Sequence, residues 1–271
     1  MEFIGDSEQE KIIDDLQKWF EENDKLPKKI NRLLLTRFYY CMFKDVEETK
    51  NLIEINYAMR QRAPTIFITR DPTDEDTQNS AAYADMVLLP GMTPDNCRVS
   101  LLYINNPDPK MMHHAQDIKA YFMVTDYRFS MPDMITSEGK ALLAEGEIKI
   151  IDMKHFTLKH IPRLSIWALR TTIKYLQEAY PVRIKSIHIV NCPPYMNKII
   201  AIVRPFISQR VFELIHFHTD DLERLYDHVP RDMLVEEHGG QAGKISDYKE
   251  ELIQSVTDKR EYLMDLDYWK V

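Results

Sequence analysis

Apolar positions along the chain change their spacing in a regular order. From Ile12 to Phe20 they recur at three- and four-residue steps (Ile12, Ile13, Leu16, Trp19, Phe20), behind Ser7-Glu8-Gln9-Glu10, which has the S-x-x-E form of a capping box. After Pro27 a second helical stretch carries Ile30, Leu33, Leu34 and Phe38. A third, capped by Asp45 with Glu48, carries Val46, Leu52, Ile53 and Tyr57. Three short helices before Pro64 predict a small bundle. The acidic run Asp71 to Asn79 (DPTDEDTQN) is the expected linker, with a short helix expected at 80–85.

Beyond the linker the spacing alternates between two and three-to-four. Arg98 to Asn105 reads as a strand, and Met111 to Phe129 as a helix through Met112, Ala115, Ile118, Phe122 and Thr125. Glu147 to Met153 is the next strand, and His160 to Tyr180 the next helix, with Leu164, Trp167, Ala168, Thr171, Thr172, Tyr175, Leu176 and Ala179 in one stripe. Lys185 to Val190 (KSIHIV) is a third strand. Tyr195 to Ile207 follows as a helix with a wide apolar face interrupted by Pro205, and Glu213 to Phe217 closes the series as a strand. This order predicts right-handed βαβ crossovers and a mainly parallel sheet, an α/β fold behind an N-terminal bundle. The expected divisions are 1–75 for the helical module, 76–240 for the α/β domain, and 241–271 for a helical tail folded back on the body.

Charge singles out one part of this series. The chain carries a net charge of −8, yet Pro181 to Phe212 holds Arg183, Lys185, Lys198, Arg204 and Arg210 and no acidic residue. About five acidic residues are expected there from the 43 in 271. A basic patch beside an apolar helix suits an anionic membrane surface. A solvated strand end beside a core helix fits the same pattern.

Composition excludes several classes. No apolar run approaches the ~20 residues of a membrane span, and Met1 to Asp6 lacks a signal-peptide pattern, so a cytoplasmic protein is expected. Cys41, Cys97 and Cys192 have no metal or disulfide spacing and read as buried thiols. No nucleophile elbow, dinucleotide fingerprint, P-loop or H-E-x-x-H is present, and neither a cofactor nor a metal is indicated. His216 and His218 should share one strand face, and His113-His114 form a second pair. Asp152 reads either as a catalytic acid or, more simply, as a hydrogen-bond acceptor orienting a loop. Nucleic acid is a poor partner for an acidic chain without a stacking platform.

The runs GEIKIIDMKHFTLKH, YPVRIKSIHIVNCPP, VRPFISQRVFELIHFH and VPRDMLVEEHGG resemble the CRAL-TRIO (Sec14-like) lipid-transfer proteins. The likeness is greatest to insect members similar to alpha-tocopherol transfer protein and retinaldehyde-binding protein. The resemblance implies a non-enzymatic, monomeric carrier of a small hydrophobic ligand such as a tocopherol-, retinoid- or carotenoid-like terpenoid. It also implies that the Tyr195–Ile207 helix is a mobile gate over an apolar cavity. The implied gate face is Met196, Ile199, Ile202, Val203 and Ile207. The implied opposing wall is Ile151, Leu164, Thr172, Tyr175, Leu176, Tyr180, Val182, Ile184 and Ile187, where the two tyrosines should narrow the pocket and add hydroxyls. Phosphoinositide contacts are implied at Arg183, Lys185 and Arg210, with Arg204 beside the hinge. Leu214 and Tyr40 stand where relatives carry basic residues. A protein-interaction module with an unused pocket, and a lipid-acting enzyme, are the alternatives.

Overall fold

The computed structural model describes residues 2–3, 7–219 and 221–271. Expectations for Met1, Ile4, Gly5 and Asp6, and for the capping side chain of Ser7, lie outside the described residues. In chain order the strands are β1 (Glu2–Phe3), β2 (Ala84–Leu88), β3 (Cys97–Ile104), β4 (Met134–Ile135), β5 (Ala141–Leu143), β6 (Gly146–Asp152), β7 (Ile184–Val190) and β8 (Ile215–Phe217). The helices of the N-terminal region are α1 (Ser7–Glu21), α2 (Arg32–Cys41), α3 (Val46–Arg62), α4 (Pro64–Phe67) and α5 (Glu75–Tyr83). Those of the sheet region are α6 (His114–Phe129), α7 (Ile166–Glu178), α8 (Met196–Val203), α9 (Gln209–Phe212) and α10 (Glu223–Tyr226). The tail holds α11 (Ile245–Asp258), α12 (Arg260–Met264) and α13 (Leu266–Trp269).

Local chemistry starts these helices where the sequence places them. Asn31 Oδ1 accepts from the amides of Leu33 and Leu34 at 2.9 and 3.2 Å, and Asp45 Oδ1 accepts from those of Glu47 and Glu48 at 3.0 Å, each satisfying orphan donors of a first turn. Two boundaries differ from expectation. The acidic linker is helical from Glu75, because Asp74 caps α5 by accepting from the Thr77 amide at 2.7 Å. Residues 84 and 85, expected to end a helix, open the edge strand β2 instead.

The main sheet has the order β2-β3-β6-β7-β8, with β2 antiparallel and the other four parallel. From β3 onward each strand lies beside its predecessor in one direction. Right-handed crossovers therefore put α6, α7 and α8 on the same side. The opposite side must be covered by something else, and it is: Leu225, Val229, Met233, Leu234, Val235 and Ile245 pack there on Val99, Leu101, Ile148, Ile150 and Val190.

The helix expected at 160–180 begins only at Ile166. Pro162, which lacks an amide hydrogen, sits in a 3-10 turn over Leu158–Arg163, and Ser165 Oγ caps α7 through the Ala168 amide. The gate stretch is likewise split, into α8 and a 3-10 turn over Arg204–Phe206 that accommodates Pro205.

Candidate functional site

The two faces of the sheet are finished differently. Side chains alternate along each strand, so Val99 and Leu101 on β3 and Val190 on β7 face the C-terminal cover, where each is 0% exposed. On the α8 side, Leu102, Ile151 and Ile187 are only half-buried although they lie mid-sheet, as is Ile104 at the end of β3. The helix over them, MNKIIAIV, is almost wholly apolar, yet Ile199 alone among its residues is buried. Met196, Ile202 and Val203 are half-buried, as is Ile207 beyond the helix.

The structure brings part of the expected set together. Ile199, Met196, Ile151, Ile187 and Leu164 share one cluster with Tyr83, Met153, Phe156 and Ile189. Sequence reasoning missed Tyr83 and Phe156, which come from outside the stripes that marked the helices. Thr172 is buried, and its Oγ1 has no hydrogen-bond partner among the described residues.

The other five wall residues, Tyr175, Leu176, Tyr180, Val182 and Ile184, belong to the core shared with the N-terminal helices. The two phenols expected on the pocket wall are engaged within this core. Tyr175 OH accepts from Asn56 Nδ2 at 2.8 Å and Arg60 Nη2 at 2.6 Å. Tyr180 OH donates to Glu147 Oε2 at 2.8 Å. Both hydroxyls are used inside the protein, and burial pushes the Tyr175 phenol up to about 12.

These tyrosines mark a charged seam. Arg60 forms a two-pronged pair with Asp126 at 2.7 and 2.8 Å, Arg70 bonds the same carboxylate, and the rings of Trp269 lie 5.0 and 4.7 Å from the two guanidinium carbons. A second set joins Arg37 to Asp133 at 2.5 Å, and Arg128 and Lys149 to Glu147 at 2.9 and 2.8 Å. Burial opposes the charge on Asp133, but Arg37 and Arg128 hold its carboxyl down at about 2.

The basic island is not uniform. Lys185 and Arg210 are exposed. Arg183 is half-buried and donates to the carbonyls of Tyr40 and Cys41. Arg204 donates to Ile207 O at 2.7 Å and Gln209 Oε1 at 2.6 Å, with Phe212 at 4.7 Å under its guanidinium. At the same end, the Gln177 amide clamps the chain after α8, donating to Phe206 O at 3.0 Å and accepting from the Ser208 amide at 2.8 Å. At the start of α8, Tyr195 OH donates to Phe156 O at 2.5 Å.

Asp152 takes the simpler of its two readings. It accepts from the Lys154 amide at 2.7 Å, Asn191 Nδ2 at 2.9 Å and His238 Nε2 at 2.8 Å, so it orients three segments. His216 and His218 do share a face. Both stack on the buried His188, at 4.9 and 5.2 Å between ring centroids, and His228 joins at 4.8 Å. Burial and the neighbouring imidazoles push His188 down to about 3. The hollows that stand out lie away from α8 and do not suit an apolar ligand. One of about 670 Å³ opens among Asp15, Trp19, Glu22 and Lys25 at the charged end of α1, and a void of about 10 Å³ beside Arg183 has room for one water.

A mostly parallel sheet with its crossover helices on one side and a helical module before it defines the Sec14-like α/β class. The fold is shared with the crystal structure of Sfh5, at a TM-score of 0.54 over 92% of each chain and 14% identity. Residues 84–240 match the CRAL/TRIO domain model, and the chain belongs to that family. Residues 6–77 match the Pinta-like UBA domain model. Similar proteins include alpha-tocopherol transfer protein-like from Mus musculus, 26% identical over 226 residues, and from Homo sapiens, 24% over 225. Each match covers 83% of this chain and 63% of the relative's own length. Clavesin-2 from Rattus norvegicus is 33% identical over 103 residues, 38% of this chain and 32% of that protein.

Proposed function

We infer that the chain binds one small hydrophobic molecule between α8 and the sheet and carries it between membranes without chemical change. The observation that carries this reading is the difference between the sheet's faces. A finished core leaves mid-sheet side chains dry, as on the C-terminal side, whereas Leu102, Ile151 and Ile187 keep accessible surface beneath an apolar helix. A terpenoid seated there would complete the burial. Roughly 400 Å² of ligand surface at about 25 cal/mol/Å² gives on the order of 10 kcal/mol before association costs.

The half-buried faces of Met196, Ile202 and Val203 serve as the gate lining, and Ile151, Leu164, Ile187 and Thr172 as the wall. Unaided release of such a ligand is slow, so delivery uses a trigger. Anionic headgroups, phosphoinositides in particular, at Lys185 and Arg210, with Arg183 and Arg204 beside them, favour the open gate at the target membrane. The relatives named alpha-tocopherol transfer protein-like support a tocopherol- or retinoid-like cargo. The test is native mass spectrometry of the purified chain, paired with organic extraction. One apolar adduct per chain is expected. A bare mass after incubation with tocopherol, retinoid and carotenoid probes overturns the reading.

A further inference from the structure

The turn between α2 and α3 holds a residue that its backbone disfavours. After α2 the Phe43 amide donates to Tyr40 O at 3.1 Å and the Lys44 amide to Tyr39 O at 2.9 Å, the paired bonds of a Schellman helix end. The residue after the cap is left-handed in that motif and is usually glycine, because a Cβ there costs about 1 kcal/mol. Here it is Phe43, with φ of 53°, followed by Lys44 with φ of 67°. No apolar burial offsets the strain. The Phe43 ring is 80% exposed, more than any other large apolar side chain among the described residues.

The ring's close neighbour is a cation. The Arg183 guanidinium carbon lies 4.4 Å from the ring centroid, and Arg183 is itself fixed by its bonds to the Tyr40 and Cys41 carbonyls. Lys185 stands exposed two residues further on. Of the acidic residues that follow the turn, Asp45 is occupied in capping α3, Glu47 pairs with Lys50 at 2.8 Å, and Glu48 is exposed in the first turn of α3.

We propose that Phe43 is a membrane wedge, its ring entering the interfacial layer of an anionic bilayer while Arg183 and Lys185 meet the headgroups. The proposal rests on the membrane-release reading above and adds a contact from the N-terminal module. A bilayer is the partner this surface fits. A specific protein interface takes about 800 Å² from each side and a shaped pocket for its anchor, whereas a lone aromatic flanked by cations needs only the amphipathic boundary of a membrane. Because Arg183 bonds the end of α2 from the start of β7, the wedge and the sheet region would meet the same membrane together.

Phe43→Gly removes ring and strain at once, which separates a binding role from a folding one. On phosphatidylcholine vesicles containing a phosphatidylinositol phosphate, it should bind about tenfold more weakly than the wild type, the effect of un-burying one Phe side chain at about 1.4 kcal/mol per factor of ten. Its melting temperature should be at or above the wild-type value. Phe43→Trp should bind at least as well as the wild type. The ratio between wild type and Phe43→Gly should persist at high salt, where charge contacts are screened. A ratio that vanishes with salt means that the ring only positions Arg183, and it overturns the wedge. So does equal vesicle binding by the two proteins, which is also the result expected if the ring instead anchors a protein partner. Failure of the wild type itself on anionic vesicles removes the membrane-release reading together with the wedge, whereas equal binding removes the wedge alone.

Discussion

The seam between the N-terminal helices and the sheet and the face beneath α8 are both covered by helices, but they are held by different forces. At the seam, Arg60, Arg70 and Asp126 are at most 1% exposed at their side chains and are joined by directional charge-assisted bonds, with Tyr175 and Trp269 closing the set. Opening it would strand buried charges. Beneath α8 the contacts are apolar and non-directional, while hydrogen bonds from Tyr195 and Gln177 hold the cover at its two ends. Apolar contacts can be exchanged for those of another apolar molecule at little cost. A seam of directional bonds thus stands beside a cover held by apolar contacts, which is the contrast the proposed exchange of cover for ligand rests on.

That contrast breaks first at Asp126. Asp126→Ala leaves Arg60 and Arg70 without their carboxylate and should destabilise the fold by about 3–5 kcal/mol, lowering Tm by about 10 °C. Thermal and urea unfolding would measure it, and a loss below about 1 kcal/mol would put the seam on a par with the cover. Next comes charge at the membrane. Lys185→Ala with Arg210→Ala should weaken binding to phosphoinositide vesicles by about 2 kcal/mol at low salt, less as salt rises, with melting unchanged.

Gln177→Ala, which releases one end of the cover, should cost only about 1 kcal/mol and speed amide exchange around Ser208. Unchanged exchange would mean that the clamp does not restrain α8. Stability should also respond to pH. His188 has a folded pKa of about 3, below its unfolded value, so the unfolded chain takes up a proton first as pH falls below about 6.5. Its contribution to stability is intact at pH 7 and shrinks toward pH 3. The wild type should lose more Tm between pH 7 and pH 5 than His188→Asn, and equal losses would show that the imidazole stack is not held neutral.

The alternation of periods made the parallel sheet and its crossovers legible, since each strand and helix spans enough residues to show its own spacing. Boundaries set by single residues were less so. Pro162 delays α7 to Ile166, and 84–88 (ADMVL) carries no clean alternation because β2 pairs at a sheet edge. The apolar set under α8 was half legible. Ile151, Ile187, Leu164, Met196 and Ile199 do gather, but Tyr175, on the stripe expected to run on from Leu164, faces Asn56 and Arg60, more than a hundred residues earlier. A periodicity reports which face is buried, not what buries it. His188 and His228 were unremarkable alone, and only the fold brings them to His216 and His218.

Whether the face beneath α8 takes the ligand is tested most directly by placing a charge there and measuring uptake. Ile202 is half-buried on α8 and has no part in the seam, so Ile202→Asp should fold with a near-normal melting temperature. Titration with a tocopherol or retinoid probe should give saturable one-to-one binding by the wild type and no binding by the variant. A folded Ile202→Asp protein that binds the probe with wild-type affinity would place the ligand elsewhere and contradict the division between rigid seam and exchangeable cover.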